Sequence, residues 1–465
     1  AVTKSGGNAF HGDLHYYLSG NSINAGPVLR LAADPVTERF AKHIQDTKFP
    51  DNNHEIGGSL GGYFIKNKLY SFSALSPRFR SQSRTYKFNN GTETGDVYRD
   101  STYHQMFNKI SWDPVSRVRT NFSWLWSPTK VRGYIPSPNA YAADTTTLSL
   151  AAVGPIKDSG YFQPQSSYTG QVDISVSSTS LLTIRGGRFW DDFKSTGLPN
   201  LISITYQTSA SSLPFEIPAN LRQPKGAANI SRVPFNEYDV VTRSFIQTDF
   251  SKFGNLLGQH NLKGGWGFTK TVNRMDDHEM GGGYINIFWN SQFRATDPTT
   301  RGPYGYYEFN DRRTAGVTGA GMHNLFIQDQ WRVIRRLTLT LGIRFENEKI
   351  PTFRRDIKDY AFQFGMGDKI APRLGASFDV LGDGRVKIYG SWGRYYDWVK
   401  YELSRGTFGG DIWRVYYRSL DNADVFNLLN SATINNLPGR NIWSNIASGP
   451  GSYRDRRVPA FDLVG

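Results

Sequence analysis

Stretches of about ten residues in which apolar and polar side chains alternate recur along this chain. Successive side chains of a β-strand point to opposite faces of a sheet, so each stretch predicts a strand with one apolar and one polar face. The clearest example begins at Leu337. Its apolar face holds Leu337, Leu339, Leu341, Ile343 and Phe345, and its polar face holds Thr338, Thr340, Gly342, Arg344 and Glu346. Helical periodicity is scarce, and an all-β fold is expected.

Further strands follow from the same pattern. Alternation is clear in residues 10–18, 118–126 and 168–176. Less regular candidate strands begin near Glu55, Leu69, Tyr103, Leu181, Val241, His260, Met322, Ala371 and Arg385. Together these segments predict about thirteen strands.

The connections between the predicted strands alternate between short and long. The short ones are residues 66–68, 113–116, 177–179, 253–259, 333–336 and 381–384, and the long ones are 19–53, 79–102, 128–166, 192–240, 271–321 and 348–370. A transmembrane β-barrel has short turns at one rim and long loops at the other, and its tilted strands need about 9–11 residues to cross the bilayer. The pattern favours such a barrel, although a soluble propeller or jelly roll stays open at this point.

Composition narrows the classes further. Hydrophobic residues make up 38%, and no run approaches the roughly 18 apolar residues of a membrane helix. Aromatic residues at 14% argue against disorder, and the absence of cysteine excludes disulfides and thiolate zinc sites. The net charge of +14 favours anionic partners such as nucleic acid, phosphate or lipid head groups, or serves solubility alone.

Five motifs give the chain a family resemblance. Residues 2–12 (VTKSGGNAFHG) resemble the plug-to-barrel junction of TonB-dependent outer-membrane receptors, most closely the Oar-like branch, whose precursors carry a carboxypeptidase-regulatory-like domain. Residues 53–62 (NHEIGGSLGG) and 65–70 (IKNKLY) are similar to the next signature of that branch. Residues 323–331 (HNLFIQDQW) and 370–375 (IAPRLG) resemble barrel segments of such receptors more generally.

This resemblance implies an organisation for the chain. Residues 1–9 are expected to end the plug-to-barrel junction. Residues 10–396 would form an antiparallel meander, part of a large transmembrane β-barrel, with about 12–14 of the family's 22 strands. Residues 397–465 are expected to be an extracellular loop or an unassigned barrel segment. The plug, the TonB box and the carboxy-terminal strands are expected to lie outside this chain, which is thus interpreted as a fragment of a longer protein.

The resemblance also implies a function and partners. The whole receptor would take up a bulky, unidentified ligand across the outer membrane of a Gram-negative-type bacterium, using energy that TonB relays to the plug. Outer-membrane lipid and lipopolysaccharide are expected partners, nucleic acid is not, and a monomer is expected. Two alternatives remain: a soluble extracellular β-protein that binds or hydrolyses carbohydrate, and a passive porin, against which the junction motif argues.

Three motifs have some likeness to chemical sites, and none supports an assignment. Residues 57–61 match the G-x-S-x-G nucleophile elbow, but they lead into a strand instead of a strand-turn-helix. Residues 276–279 (DDHE) offer oxygen ligands without the spacing of a calcium loop. His11, His15, His43 and His54 lack the spacing of a zinc site. The sequence therefore predicts no enzymatic activity, no cofactor, and no catalytic or metal-binding residue.

Basic clusters occur at Arg312–Arg313, Arg354–Arg355 and residues 454–457. Nucleic-acid binding would need such clusters interleaved with stacking aromatic residues on a defined domain. Contact between barrel loops and phosphorylated lipopolysaccharide needs no such sequence-recognising domain, and we favour this interpretation of the basic clusters. The alternative is that each cluster is simply exposed to solvent.

The barrel hypothesis fixes which way side chains point. We expect an outer, lipid-facing surface formed by Leu339, Leu341, Ile343, Val172, Ile174 and Phe122, and a lumen lined by Arg344, Asp173 and Asn121. We also expect residues 10–18 to form an open sheet edge, and the stretch after about residue 396 to show little regular pairing.

Expressed by itself, the 465-residue chain is expected to lack the heat-resistant folded band that intact barrels show on a gel. An open edge in lipid leaves backbone groups unsatisfied, at several kcal/mol each. A heat-resistant band, together with pairing of the first strand to a strand from residues 385–465, would contradict this expectation and favour a self-sufficient porin.

Overall fold

The computed structural model describes residues 4–33, 41–138, 144–355, 358–443 and 453–455. Within these ranges nearly all regular structure is β-strand, as the alternation predicts. No helix in the described ranges has both the length and the apolar character needed to cross a membrane.

The elements are numbered in chain order. The strands are β1 His11–Ser19, β2 Leu29–Ala33, β3 Ala41–Gln45, β4 Asp51–Ile65, β5 Leu69–Leu75, β6 Arg78–Phe88, β7 Glu93–Tyr103, β8 Met106–Val115, β9 Val118–Trp126, β10 Thr129–Arg132, β11 Gly160–Gln163, β12 Gln165–Ser177, β13 Ser180–Thr196, β14 Ser203–Tyr206, β15 Pro234–Asn255, β16 Gln259–Glu279, β17 Tyr284–Trp289, β18 Gly305–Ile334, β19 Leu337–Pro351, β20 Tyr360–Asp379, β21 Lys387–Gly393, β22 Asp411–Leu420 and β23 Arg454–Asp455. The α-helices are α1 Leu150–Val153, α2 Tyr401–Thr407 and α3 Phe426–Asn430.

Thirteen consecutive spans form one antiparallel meander, in agreement with the predicted number. Four spans consist of two strands separated by one or two residues: β5 with β6, β7 with β8, β9 with β10, and β11 with β12. The spans in order are β1, β4, β5–β6, β7–β8, β9–β10, β11–β12, β13, β15, β16, β18, β19, β20 and β21. Each pairs with the spans before and after it.

The short and long connections lie at opposite rims, which confirms the predicted arrangement. The short turns are residues 66–68, 116–117, 178–179, 256–258, 335–336 and 380–386. The connections at the other rim, here called the long-loop rim, are 20–50, 89–92, 133–159, 197–233, 280–304 and 352–359. A meander of antiparallel strands alternates its connections in this way.

The long loop predicted for residues 79–102 is wrong. These residues form β6 and β7, which pair along their whole length and turn tightly at 89–92. Polar side chains pair across the hairpin, with Ser81 Oγ donating to Asp100 and Thr85 Oγ1 to Asp96, each at 2.7 Å. Above the bilayer a strand has no lipid on one face, so the regular alternation of a lipid-facing strand disappears there. Tyr86, Phe88 and Val97 of the hairpin pack instead into a small buried cluster.

The outer face of the meander carries exposed apolar side chains. Leu341 is 41% exposed and Phe122 49% exposed. The other predicted outer residues (Leu339, Ile343, Val172 and Ile174) are half-buried, and none of the six belongs to a buried cluster of the described residues. They extend along a sheet face instead of packing against a second sheet, as expected of a lipid-facing wall.

The opposite face carries the polar residues predicted to line the lumen. Asp173 accepts hydrogen bonds from Thr183 Oγ1 at 2.7 Å and Gln171 Nε2 at 2.8 Å. Arg344 Nε donates to Glu346 at 2.6 Å, and Asn121 accepts from Ser111 Oγ at 2.8 Å. The predicted facing of Asn121, Asp173 and Arg344 is confirmed.

Two spans form edges of the sheet. Among the described residues β1 pairs only with β4, and β21 pairs only with β20, which confirms the expected open edge at residues 10–18. The expectation of little regular pairing after residue 396 is wrong for β22, which pairs with residues 305–314 of β18. β22 is stabilised by a hydrophobic core above the barrel. The alternating pattern that identifies membrane strands does not predict such a core.

This core belongs to a cap at the long-loop rim, formed by residues 198–233, 280–304 and 411–443 with the adjoining end of β18. Its sheet has β14 parallel to β17, β17 antiparallel to β18, and β18 antiparallel to β22. Buried in it are Ile202, Ile204, Tyr206, Ile285, Ile287, Trp289, Tyr307, Phe309, Tyr416 and Leu420. Burial raises the pKa of Tyr206 to about 12. The largest buried cluster of the described residues thus lies in the cap and not in the barrel wall.

A buried ion pair stands at the lumen side of the long-loop rim. Lys369 Nζ donates to Glu348 Oε2, and both side chains are buried. The backbone N–H of Val399 donates to Glu348 Oε1 at 3.0 Å, which fixes the segment before α2. Hydrogen bonds thus reach both carboxylate oxygens.

Replacing Trp289 with alanine is expected to loosen the cap while the barrel stays folded, with the chain carried in the complete receptor that the sequence predicts. Trp289 is almost fully buried in the cap core, and truncating such a side chain costs about 3–5 kcal/mol. Limited proteolysis should show faster cleavage within residues 198–233, with heat-resistant migration retained. Trp392→Ala, on the exposed outer face of β21, is the matched control and should leave the cleavage unchanged. Equal cleavage in the two variants would contradict a cap with its own core.

Lys369→Met is expected to lower the free energy of unfolding by about 3–5 kcal/mol, because it leaves the buried Glu348 carboxylate without its counter-charge. The double variant Glu348→Gln/Lys369→Met should recover most of that loss, since the introduced amide has no charge and still accepts from the Val399 N–H. Urea titration of the receptor in vesicles measures both. A double variant no more stable than the single one would show that the pair is not the source of the loss.

Candidate functional site

Three regions face the path by which a ligand would enter: the lumen wall, the mouth at the long-loop rim, and the cap. On the lumen wall, Asp249 is buried among cations because β13, β15 and β16 bring their polar faces together. Arg185 approaches its carboxylate at 2.9 Å and Lys263 at 3.4 Å, and Gln247 donates at 2.9 Å. This part of the wall is therefore polar, with its cations and carboxylate neutralising each other.

The mouth holds a half-buried carboxylate, Asp277, and a buried one, Glu279, on the part of β16 that extends beyond the apolar band. Burial raises the pKa of Asp277 and of Glu279. Arg232 lies 3.3 Å from Glu279 and stacks 4.3 Å above the ring of Tyr284, so it links the cap to the barrel. One oxygen of Asp277 has no hydrogen-bond partner among the described residues.

The run at residues 276–279 does not assemble a cation site. Strand alternation separates its side chains, and Asp276 is held by Arg313 in two hydrogen bonds of 3.0 and 2.5 Å. His278 lies 3.4 Å from Asp276, whereas Glu279 turns to Arg232. In the described part of the chain no group of three or more His, Asp or Glu residues is placed to hold a metal ion.

A groove of about 890 Å³, here called the cap groove, lies between the cap and neighbouring segments of the long-loop rim. One side is formed by the β6–β7 hairpin tip and the segment that includes α1, and the other by residues 203–232. Amide, hydroxyl and charged side chains predominate in its lining, among them Asn89, Glu93, Thr147, Ser149, Ser203, Thr205, Asn220, Gln223, Lys225, Asn229, Ser231 and Arg232. Such a lining offers many hydrogen-bond donors and acceptors to a polar ligand.

Hydrogen bonds within the walls hold the groove open. Asn229 bridges two backbone groups, accepting from the Ile204 N–H at 2.7 Å and donating to the Ile202 carbonyl at 3.1 Å. Ser203 Oγ donates to the Ile230 carbonyl at 3.0 Å. On the opposite wall Glu93 accepts from the Leu150 N–H at 2.8 Å at the start of α1. The groove is thus preformed by its own residues.

The other sequence motifs lie apart from these three regions. Ser59 lies within β4 and donates to Asp13 of β1, so residues 57–61 are strand and not a nucleophile elbow. His15 contacts Asp13 at 3.2 Å, and His54 Nδ1 bonds Tyr16 at 2.7 Å. His11 contacts the Ala9 carbonyl, and His43 lies in the separate sheet of β2 and β3. The four histidines do not converge.

The basic clusters are also divided among different environments. Arg312 lies over the ring of Trp413 at 5.7 Å, Arg313 pairs with Asp276, and Arg454 lies 5.6 Å from the ring of Trp443. Arg354 and Arg355 are exposed at the long-loop rim. Arg456 and Arg457 lie outside the described residues, as do residues 1–3 of the predicted junction.

The cap groove was missed at the sequence level, although a signal exists. Ile202, Ile204 and Tyr206 alternate with polar residues. In the second segment, Asn286 lies between Ile285 and Ile287, and Trp289 continues the apolar face. Both segments lie inside stretches predicted as long loops. Their pairing is parallel, between strands that are far apart in the chain, and alternation alone does not identify such partners.

Comparison with known proteins agrees with the fold. Residues 2–213 match the family described as outer-membrane β-barrel domain. The TonB-dependent transporter Oar of Myxococcus xanthus is 22% identical over 488 residues, which cover 88% of this chain and 43% of Oar. The outer-membrane transporter YddB of Escherichia coli superposes with a TM-score of 0.54 at 11% identity, covering 88% of this chain and 50% of YddB. The chain thus spans about half the length of the relatives it matches.

The family match, the relation to Oar and the barrel fold favour an outer-membrane barrel over the soluble carbohydrate-binding alternative. YddB contributes only the fold, and the matched motifs at residues 2–12 and 53–70 lie in the region that the family describes. Residues 2–213 match an outer-membrane β-barrel domain and the chain is similar to a TonB-dependent transporter, which supports the expected resemblance and indicates the outer membrane of a Gram-negative-type bacterium.

Proposed function

We propose that the receptor containing this chain takes up a bulky polar ligand across the outer membrane, with energy supplied through TonB. The observation that carries the proposal is the cap groove, a preformed polar cleft of about 890 Å³ at the long-loop rim of a transporter-type barrel. The relation to Oar, a TonB-dependent transporter, supports the coupling.

The chemistry of the groove favours a ligand with many hydrogen-bonding groups, such as an oligosaccharide or a peptide. Asn220 and Gln223 lie on one wall beside Lys225, and polar side chains outnumber apolar ones in the lining. Concave sites of this size take drug-sized or larger ligands and orient them through a small number of polar contacts. Substrate would pass from the cap groove to the polar mouth and then to the lumen wall.

The partners follow from this function. TonB would act through a plug and TonB box that the complete receptor supplies, and residues 1–9 would join that plug to the barrel. The outer wall would contact outer-membrane lipid and lipopolysaccharide, residues 397–465 would contribute to the extracellular cap, and the receptor would act as a monomer. Transport of this kind needs no catalytic residue, cofactor or metal in this chain.

Cells carrying the complete receptor are expected to accumulate one of two probes, a fluorescein-labelled maltodextrin mixture or a fluorescein-labelled tryptic peptide mixture. Accumulation should stop when TonB is deleted, because release from the cap into the periplasm needs energy from the inner membrane. The double variant Asn220→Ala/Gln223→Ala should reduce accumulation of that probe about tenfold, since each lost hydrogen bond to a ligand costs about 1 kcal/mol or more.

Asn255→Ala, in the turn at the opposite rim, is the matched control and should transport normally. Accumulation that persists without TonB would favour a passive porin. Accumulation that is TonB-dependent but unaffected by the groove variant would place ligand recognition elsewhere in the receptor.

A further inference from the structure

The lipid-facing wall carries a row of cations that ligand transport does not use. Arg188 of β13 lies opposite Ser244 of β15, and Ser244 lies opposite Lys270 of β16. Lys270 lies opposite Gly321 of β18, which in turn lies opposite Lys349 of β19. Directly paired residues share a face of the sheet, so Arg188, Lys270 and Lys349 form one line across the outer wall, here called the basic row.

Lys270 and Lys349 of the basic row lie at the upper limit of the apolar band, whereas Arg188, eight residues beyond the first residue of β13, lies lower on the wall. On β16 the residues on the same face below Lys270 are His260, next to the turn at 256–258, and then Leu262, Gly264, Trp266 and Phe268. Lys270 is eleven residues beyond the first residue of β16. At about 3.3 Å per residue and a tilt of about 40°, this places it roughly 28 Å above the turn, beyond an apolar band about 25 Å tall.

A cleft of about 580 Å³ opens between the two lysines. Gly321, which has no side chain, separates Lys270 from Lys349, whose backbones are two strand spacings, or about 10 Å, apart. Phe268 and His323 form the lower wall, with ring centroids 4.6 Å apart. Val317 and Tyr360 also line the cleft, as does Arg355 from the rim above. The cleft is therefore apolar below and cationic above.

The charges of the basic row are not neutralised by the protein. All three side chains are exposed, and none forms an ion pair with an acidic residue in the described ranges. Their neighbours along the row, Tyr168, Ser244 and Gln363, are uncharged. Cations on the lumen side behave differently, because Arg185, Lys263 and Lys369 each have a carboxylate partner.

We propose that this cleft is a binding site for a phosphorylated lipid of the outer leaflet, namely the phosphorylated lipid A portion of lipopolysaccharide. Lys270 and Lys349, with Arg355 above, take the phosphate, and an acyl chain descends along Phe268 and the exposed Leu325. Charge complementarity selects a phosphate, and the apolar wall below it selects a lipid over a soluble anion. This assignment rests on the proposed contact between the outer wall and lipopolysaccharide, and it locates that contact at this cleft.

The test is a titration of the complete receptor in detergent with fluorescent bisphosphorylated lipid A. Lys270→Gln/Lys349→Gln is expected to weaken binding about tenfold or more, because it removes two charge-assisted contacts to phosphate. Lys66→Gln/Lys68→Gln, which removes the same charge at an exposed turn of the opposite rim, should bind like the unmodified receptor. Lys270→Arg/Lys349→Arg should retain binding. Heat-resistant migration of every variant verifies the fold.

Two further arms identify the ligand source. Lipid A stripped of its phosphates should bind the unmodified receptor as weakly as bisphosphorylated lipid A binds the glutamine variant. Inorganic phosphate should compete only at far higher concentration. Equal binding by the glutamine and control variants overturns the site, tight binding of the stripped lipid overturns phosphate recognition, and efficient competition by inorganic phosphate overturns the lipid.

Failure of this site is distinguishable from failure of the transport proposal. The glutamine variant should accumulate the transported probe normally, because the basic row faces lipid and not the lumen. If neither probe is accumulated by any receptor, the transport proposal fails while the titration still decides the lipid site.

Discussion

Backbone hydrogen bonding in hydrocarbon is the constraint on which the rest of this structure depends. Water is absent there, so every N–H and C=O in the membrane must find a partner within the protein, and in a sheet that partner is the neighbouring strand. Thirteen spans satisfy each other in this way, and every span between β1 and β21 pairs with the one before and the one after. A barrel in a membrane also has an apolar outer face and a polar inner face. Its turns are short at the rim opposite the long-loop rim.

A barrel wall one strand thick offers no enclosed interior, and this determines where hydrophobic packing occurs. Leu341 and Phe122 rest against lipid, whereas Trp289 and Tyr307 are buried in the cap. The cap is therefore held by the packing that stabilises soluble proteins, and the wall by strand pairing in lipid. Arg232 joins the two regions, since it meets Glu279 of the barrel strand and the ring of Tyr284 in the cap.

The sequence predicts the wall well and the cap poorly for the same physical reason. Lipid on one side and water on the other produce strict alternation, so the facing of Leu341 and Asp173 follows from residue order alone. Above the bilayer that asymmetry disappears. The β6–β7 hairpin then looks like a loop, and β14 and β17 find each other across 77 intervening residues, from 207 to 283, by packing that local pattern does not encode. The cap groove depends on that packing, because alternation at residues 202–206 and 285–289 indicates two strands but not that they are partners.

The same asymmetry sorts the charges of this basic chain. Several cations in the lumen lie beside a carboxylate, as Arg185 and Lys263 do with Asp249. A cation on the outer wall needs no such partner if the membrane supplies the counter-charge. Lys270 and Lys349 stand where the acyl region gives way to phosphorylated head groups, on either side of a glycine that leaves space between them. An internal partner there would cancel the attraction to the membrane surface. The net charge of +14 is therefore not only a matter of solubility, because part of it is placed where lipid can neutralise it.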